Sequence, residues 1–225
     1  MNCEYLLFNL VILAGPVIFS FESKVRFVSR WPQAFGAVGV ALIPFVIWDV
    51  LVVQRHWWFN PRYTTGAVIA GLPVEEILFF VSAPFACLFV WDVFFANREA
   101  GVLLDNRIVR TGIAGGGLAA VPLLWFGYEY AGTVLLALTV VAGLDQVLRT
   151  RLLRQGRTYR YLGVVTLFIL LFNGYLTFRP LVLYADSYLL GLRILTIPVE
   201  DFLYGYALVI LTVLIYHRFR RERHA

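Results

Sequence analysis

Long apolar runs separated by short polar or basic segments set the pattern of this chain, and two of those runs open on a pair of adjacent carboxylates. Hydropathy predicts about seven helices, over Glu4 to Phe21, Ala34 to Val53, Leu72 to Phe95, Gly112 to Phe126, Tyr130 to Leu148, Tyr161 to Phe178 and Leu192 to His217. Spans of about 20 residues with short connections use nearly the whole chain, which predicts one membrane domain with no soluble domain beside it. The fourth run is short and carries Gly112, Gly115, Gly116 and Gly117. No strand pattern leads into these glycines, so they read as a close helix-packing face and not as a phosphate cradle. The first run has Glu4 and no basic residue ahead of it, which marks a membrane span in preference to a cleaved signal peptide.

Composition agrees. Hydrophobic residues make up 60% of the chain and aromatic ones 16%, with a mean hydropathy of +0.78, more apolar surface than a soluble domain could hide. Charge then orients the spans. With the N-terminus outside, 15 of the 19 Lys and Arg fall on the cytoplasmic side: Lys24, Arg26 and Arg30; Arg98, Arg107 and Arg110; the five arginines from Arg149 to Arg160; and Arg218, Arg220, Arg221 and Arg223. The other side keeps Arg55, Arg62, Arg179 and Arg193. This asymmetry predicts a multi-pass protein of the cell membrane, N-terminus outside and C-terminus cytoplasmic. The net charge of +5 then requires no nucleic acid partner, and the arginine runs read as orientation signals and contacts to anionic membrane lipid. Cys3 and Cys87 are too few for a disulfide framework and lack metal-ligand spacing, so no metal site is expected.

The acidic runs repeat one another. Gly-Leu-Pro-Val-Glu-Glu-Ile-Leu-Phe-Phe begins at Gly71 and Thr-Ile-Pro-Val-Glu-Asp-Phe-Leu-Tyr-Gly at Thr196, with Pro73 and Pro198 125 residues apart. At that offset Tyr63 matches Tyr188, Gly66 matches Gly191, Leu78 matches Leu203, and Trp91 aligns with Tyr216. Residues 1–98 form a first repeat, 99–128 a connector holding the fourth helix, and 129–225 a second repeat. The motif helices are the third and seventh spans, with three between them, so both run the same way and both acid pairs lie at one depth. The predicted fold is an all-α membrane protein with two parallel three-helix repeats joined by a connecting helix.

A proline in the first turn and acids beside the positive end of the helix dipole are ordinary helix-start chemistry, and a single copy would need no other account. Two copies in matching positions do, because Ser, Thr or Asn would cap as well and ionisable groups are costly in a membrane. Adjacent carboxylates at low dielectric resist double ionisation, so one can hold a proton while its neighbour stays an anion. Glu75, Glu76, Glu200 and Asp201 are therefore the candidate catalytic residues. Asp49 and Asn173 fall near the same depth as supporting polar groups, flanked by Arg62 and Arg179, although Asp49 could equally pair with an arginine for structure alone. Asp92 and Asp145, toward the inner helix ends, read as interfacial or paired structural acids. Trp48, Phe79, Phe80, Phe85, Tyr175 and Tyr204 are the aromatic candidates for a pocket facing an electron-poor centre.

On these residues the chain resembles the integral-membrane lycopene cyclases of the heterodimeric and fused type found in bacteria, archaea and fungi. Pro73-Val74-Glu75-Glu76 and Pro198-Val199-Glu200-Asp201 are similar to that family's Pro-x-Glu-Glu or Pro-x-Glu-Asp signature. Some members split the repeats between subunits, whereas this chain looks like a fusion of both, and its second pair ends in Asp201 instead of Glu. The resemblance implies lycopene as substrate, cyclised at its linear ends to β-ionone rings through γ-carotene to β-carotene. It further implies the four acids as its catalysts and other carotenoid-pathway enzymes as partners. Protonation, ring closure and proton loss involve no net redox change, and no G-x-G-x-x-G follows a strand, so no cofactor is expected, unlike the soluble-fold cyclases with a flavin domain.

Competing readings differ in testable ways. A seven-helix retinal protein needs a membrane lysine, and the sole lysine is Lys24 in a loop. A membrane prenyltransferase needs aspartate-rich Mg²⁺ motifs, which are absent from the sequence. A cyclase making another ring isomer or using another carotenoid stays open, as does a proton-coupled transporter or non-catalytic subunit, which would make no cyclic pigment.

Overall fold

The computed structural model describes residues 3–98 and 101–222 of the 225-residue chain; Arg223, part of the charge count, and the C-terminal Ala225 lie outside the described residues. Among these, six helical segments are long and apolar enough to cross a membrane: Phe27–Val52, Val74–Phe95, Asn106–Trp125, Glu129–Val147, Gly156–Phe178 and Val199–Arg220. A seventh apolar helix, α1 (Glu4–Ser20), has 17 residues, the lower limit for crossing the hydrocarbon layer. The chain is a mostly helical, multi-pass membrane protein. Its polarity is arranged accordingly: Leu118, Val11 and Leu51 stand exposed while Asn9, Asp49, Glu75, Ser82 and Glu200 are buried.

The helices are α2 (Trp31–Val52), α3 (Val74–Val90, extended by a π turn over Trp91–Phe95), α4 (Asn106–Trp125), α5 (Glu129–Val147), α6 (Gly156–Phe168), α7 (Gly174–Phe178) and α8 (Val199–Glu222). A π turn at Ile169–Asn173 makes α6 and α7 one span. Several starts differ from the hydropathy pattern. Helix α4 begins six residues before Gly112, where the Asp105 carboxylate accepts from the Asn106 amide at 2.6 Å and serves as its cap. Helix α6 begins at Gly156, five residues before Tyr161, because its polar first turn is anchored by Thr158 Oγ1 donating to the Leu152 carbonyl at 2.7 Å.

The largest correction concerns the motif helices. Hydropathy runs them from Leu72 and Leu192, but each is preceded by a two-residue hairpin: β2 (Val68–Ile69) pairs antiparallel with β3 (Leu72–Pro73), and β5 (Arg193–Ile194) with β6 (Ile197–Pro198). The helices therefore start at Val74 and Val199. Pro73 closes a strand and occupies the cap position with φ −57° and ψ 143°, just outside the first turn in which the sequence placed it. Proline suits the end of such a strand because its missing N–H takes nothing from the ladder there. The first hairpin turns through Ala70 and Gly71, both at positive φ as type I′ turns require.

The chain divides into two compact units. The first comprises residues 1–97, 180–183 and 211–225; the second comprises 98–179 and 184–210, so α8 belongs to the second by its first half and to the first by its remainder. Within the first, α3 packs against α1 and α2, and Asn9 ties α1 to α3 by donating to the Tyr5 and Glu75 carbonyls at 3.0 Å while accepting from Ser82 Oγ at 2.6 Å. Within the second, α4 and α5 form an antiparallel pair in which Gly116 and Gly117 lie against Thr139 and Gly132 against Leu124. Two of the four α4 glycines thus serve close packing; Gly112 and Gly115 face open space.

Local geometry repeats at the 125-residue offset far beyond the motif. The Pro61–Tyr63 turn corresponds to Asp186–Tyr188, β1 (Trp57–Phe59) to β4 (Val182–Tyr184), and the left-handed Gly66 and Ala70 to Gly191 and Leu195. Arg26 and Arg151, also left-handed, match at the same spacing.

Candidate active site

Each acid pair is built by the segment that precedes it. In the first unit the loop returns on itself so that the Val74 amide donates to Ala67 O at 3.0 Å and the Thr65 amide donates to Glu75 Oε1 at 2.6 Å. In the second, the Val199 amide donates to Leu192 O at 3.0 Å and the Leu190 amide to Glu200 Oε1 at 2.7 Å. Donor and acceptor shift together by 125 residues. Gly66 and Gly191, at φ +87° and +77°, turn the backbone beside these donors, a conformation that a Cβ would strain. The first acid of each pair is thus a carboxylate pinned through one oxygen.

Its other oxygen is different. Glu75 and Glu200 are 0% and 1% exposed, and Oε2 of each is buried with no hydrogen-bond partner among the described residues. A buried polar oxygen without a partner costs roughly 1–3 kcal/mol. The fold incurs that cost twice, at equivalent positions.

The second acid of each pair is held by side chains. Tyr5 of α1 donates its hydroxyl to Glu76 Oε2, and Tyr130 of α5 donates to Asp201 Oδ1 at 2.7 Å. Tyr5 and Tyr130 are 125 residues apart, and both are buried. Asp201 accepts two further bonds, from Asn173 Nδ2 and the Tyr184 hydroxyl, each at 2.6 Å. Asn173 is delivered by the π turn that it ends; π turns locally re-aim side chains and recur at functional sites. At the same offset the first repeat has Trp48 and Phe59, so the two half-sites share one plan and differ in polar lining.

The other expected residues divide. Tyr204 lies 6.4 Å from Tyr130 between ring centroids, and Phe79 lies 6.4 Å from Tyr5, so both flank the tyrosine of their own half-site. Phe80 is buried on α3. Trp48 packs against Phe45 and Trp57. Asp49 is 2% exposed and hydrogen-bonded by the Trp57 side chain, and its Oδ2 has no hydrogen-bond partner among the described residues. Phe85 belongs elsewhere, stacked on Phe35 at 4.7 Å within a cluster with Trp31 and Phe27, and Tyr175 is exposed. Asp92 is engaged by Arg30, by Arg220 at 2.9 Å and by Tyr216 at 2.8 Å. Asp145 accepts from Thr150 Oγ1 at 2.5 Å and the Leu152 amide at 2.8 Å, holding the α5–α6 connection. Among the described residues no group of three or more His, Cys, Asp or Glu is arranged to hold a metal ion.

Sequence reasoning missed Tyr5, Tyr130 and Tyr184. The repeat offset, carried back into the first helix, was the signal that could have found the first two.

Compared with protein families, the chain matches the model described as lycopene cyclase over residues 2–94 and again over 128–219. No curated protein and no solved structure matches it. The two matched stretches begin before Tyr5 and Tyr130 and run past the acid pairs at nearly the spacing of the structural repeat. A duplicated half-site in a membrane-helix frame, matched once by each half of the chain, shows that this protein belongs to the lycopene cyclase family of carotenoid-cyclising enzymes, with both repeats in a single chain.

Proposed function

We propose that this chain is a lycopene β-cyclase and that Glu75, Glu76, Glu200 and Asp201 carry its acid–base chemistry without a cofactor. The observation behind this reading is the pair of buried, unpartnered Oε2 atoms on Glu75 and Glu200, each one residue from a carboxylate held by a tyrosine.

The reaction sets the requirements. A proton passes from a carboxylic oxygen to the inner, unbranched CH carbon of a terminal double bond, leaving a tertiary cation at the branched carbon that ends the chain. The electron pair of a neighbouring double bond closes the ring and moves the positive charge to a ring carbon. Loss of an adjacent ring proton to a carboxylate forms the ring double bond. Each ring consumes and returns one proton, so composition and oxidation level are unchanged and no redox group is needed. The donor must reach an apolar substrate, an anion must stand near the cation, and water must be excluded. Glu75 and Glu200 have the open oxygen, Glu76 and Asp201 the fixed carboxylate, and all four are buried. The ring aromatics Phe79 and Tyr204 add π faces beside each tyrosine.

Expression in a lycopene-accumulating host, followed by chromatography of the pigments, tests this. γ-Carotene and β-carotene are expected. A ring with its double bond at another position would replace the β assignment by a different ring isomer. Unchanged lycopene despite verified membrane expression would refute the cyclase reading.

A further inference from the structure

The two carboxylates of each pair are not equivalent in their surroundings, and the difference is the same in both repeats. The first is pinned by a backbone amide ten residues before it and keeps one bare, buried oxygen. The second accepts a phenolic hydrogen bond from a tyrosine 71 residues earlier, on the first helix of its own repeat. Proton exchange with a hydrocarbon needs an oxygen unencumbered by protein donors. Charge stabilisation needs a carboxylate held immobile in its ionised form, and a hydroxyl donor fixes its position and favours that form.

We propose that Tyr5 and Tyr130 are positioning residues that hold Glu76 and Asp201 as fixed anions beside the cation, leaving proton exchange with the substrate to Glu75 and Glu200. This division of labour rests on the acid–base reading above. A phenol suits this role because its rigid ring is locked by packing and it brings one donor without a competing positive charge. An arginine or lysine would neutralise the anion that the cation requires. In the second half-site Tyr184 and Asn173 reinforce the same carboxylate, which anchors the shorter Asp201 side chain from three directions.

The test is Tyr5→Phe/Tyr130→Phe in proteoliposomes loaded with increasing mole fractions of lycopene, with folded enzyme counted by its melting transition. Phenylalanine keeps the ring and removes the hydroxyl. The expected result is a roughly 10- to 100-fold fall in kcat, the size of a lost hydrogen bond to a charged group, with KM unchanged. A purely packing role would leave kcat per folded molecule untouched in the Phe variant; Tyr5→Leu/Tyr130→Leu would then reduce only the amount of folded protein. Wild-type kcat in the Phe variant, or a rise in KM alone, would overturn the proposal. Glu75→Gln/Glu200→Gln separates the two levels of the argument. If that variant is inactive while the Phe variant is normal, only the tyrosine role fails; if it keeps near-normal activity, the assignment of proton exchange to Glu75 and Glu200 fails, and if Glu76→Gln/Asp201→Asn is near-normal as well, the acid–base reading fails with it.

Discussion

Replacing the first acid of each pair by glutamine isolates proton transfer from structure. In Glu75→Gln/Glu200→Gln the amide oxygen can still accept from the Thr65 and Leu190 amides, now at 2.6 and 2.7 Å from the carboxylates. Stability falls only by the difference between a charged and a neutral acceptor, about 1 kcal/mol per site. The position of Oε2, bare in both residues, receives an amide group that cannot give up a proton to an alkene. Loss of a general acid or base typically removes about 10² to 10⁴ in rate, which is about 2.7–5.4 kcal/mol of barrier. The catalytic loss therefore exceeds the structural one severalfold. A helix-start charge, by comparison, is worth roughly 0.3–1 kcal/mol. The assay is cyclic carotenoid formed per folded enzyme in lycopene-loaded proteoliposomes, with membrane content and melting temperature measured on the same preparations. We expect near-normal folding and a rate reduced by at least about 10², and a large loss also from at least one substitution within each pair made singly. Near-normal product from this double variant and from Glu76→Gln/Asp201→Asn as well would show that the carboxylates only start helices, and Asp49, whose Oδ2 has no partner among the described residues, would become the proton donor to test.

Three further outcomes follow from other parts of the chain. Asp92→Asn weakens the bonds to Arg30, Arg220 and Tyr216 and should lower stability by about 1.5–3 kcal/mol, read as a lower melting temperature with unchanged activity per folded molecule. Gly66→Ala and Gly191→Ala meet open space but force alanine to φ +87° and +77°, so each should destabilise by about 1–2 kcal/mol and impair the loop that feeds an amide to Glu75 or Glu200. Retention of both stability and activity in these variants would remove the strained turn from the site's design. Reporter fusions after Arg160 and at the C-terminal Ala225 should both read cytoplasmic, as the 15-to-4 division of basic residues predicts; a reading outside at either point would overturn the expected orientation.

The sequence by itself determined the membrane class, the approximate helices, the repeat and the two acid pairs. These are written locally or in register: about 20 apolar residues announce a span, and one fixed offset aligns Pro73-Val74-Glu75-Glu76 with Pro198-Val199-Glu200-Asp201. Hydropathy could not see the hairpins before α3 and α8, because strands of two residues have no period and their apolar side chains merge with the helix that follows. Nor could it show that Asn173 reaches Asp201, since a π turn changes which way that side chain points, or that Asp49 meets Trp57. The unequal surroundings of the paired carboxylates were decided by tertiary structure alone. They depend on a hydroxyl 71 residues away on another helix and on which carboxylate oxygen the returning loop leaves bare, and neither distance nor direction is carried by adjacency in the chain.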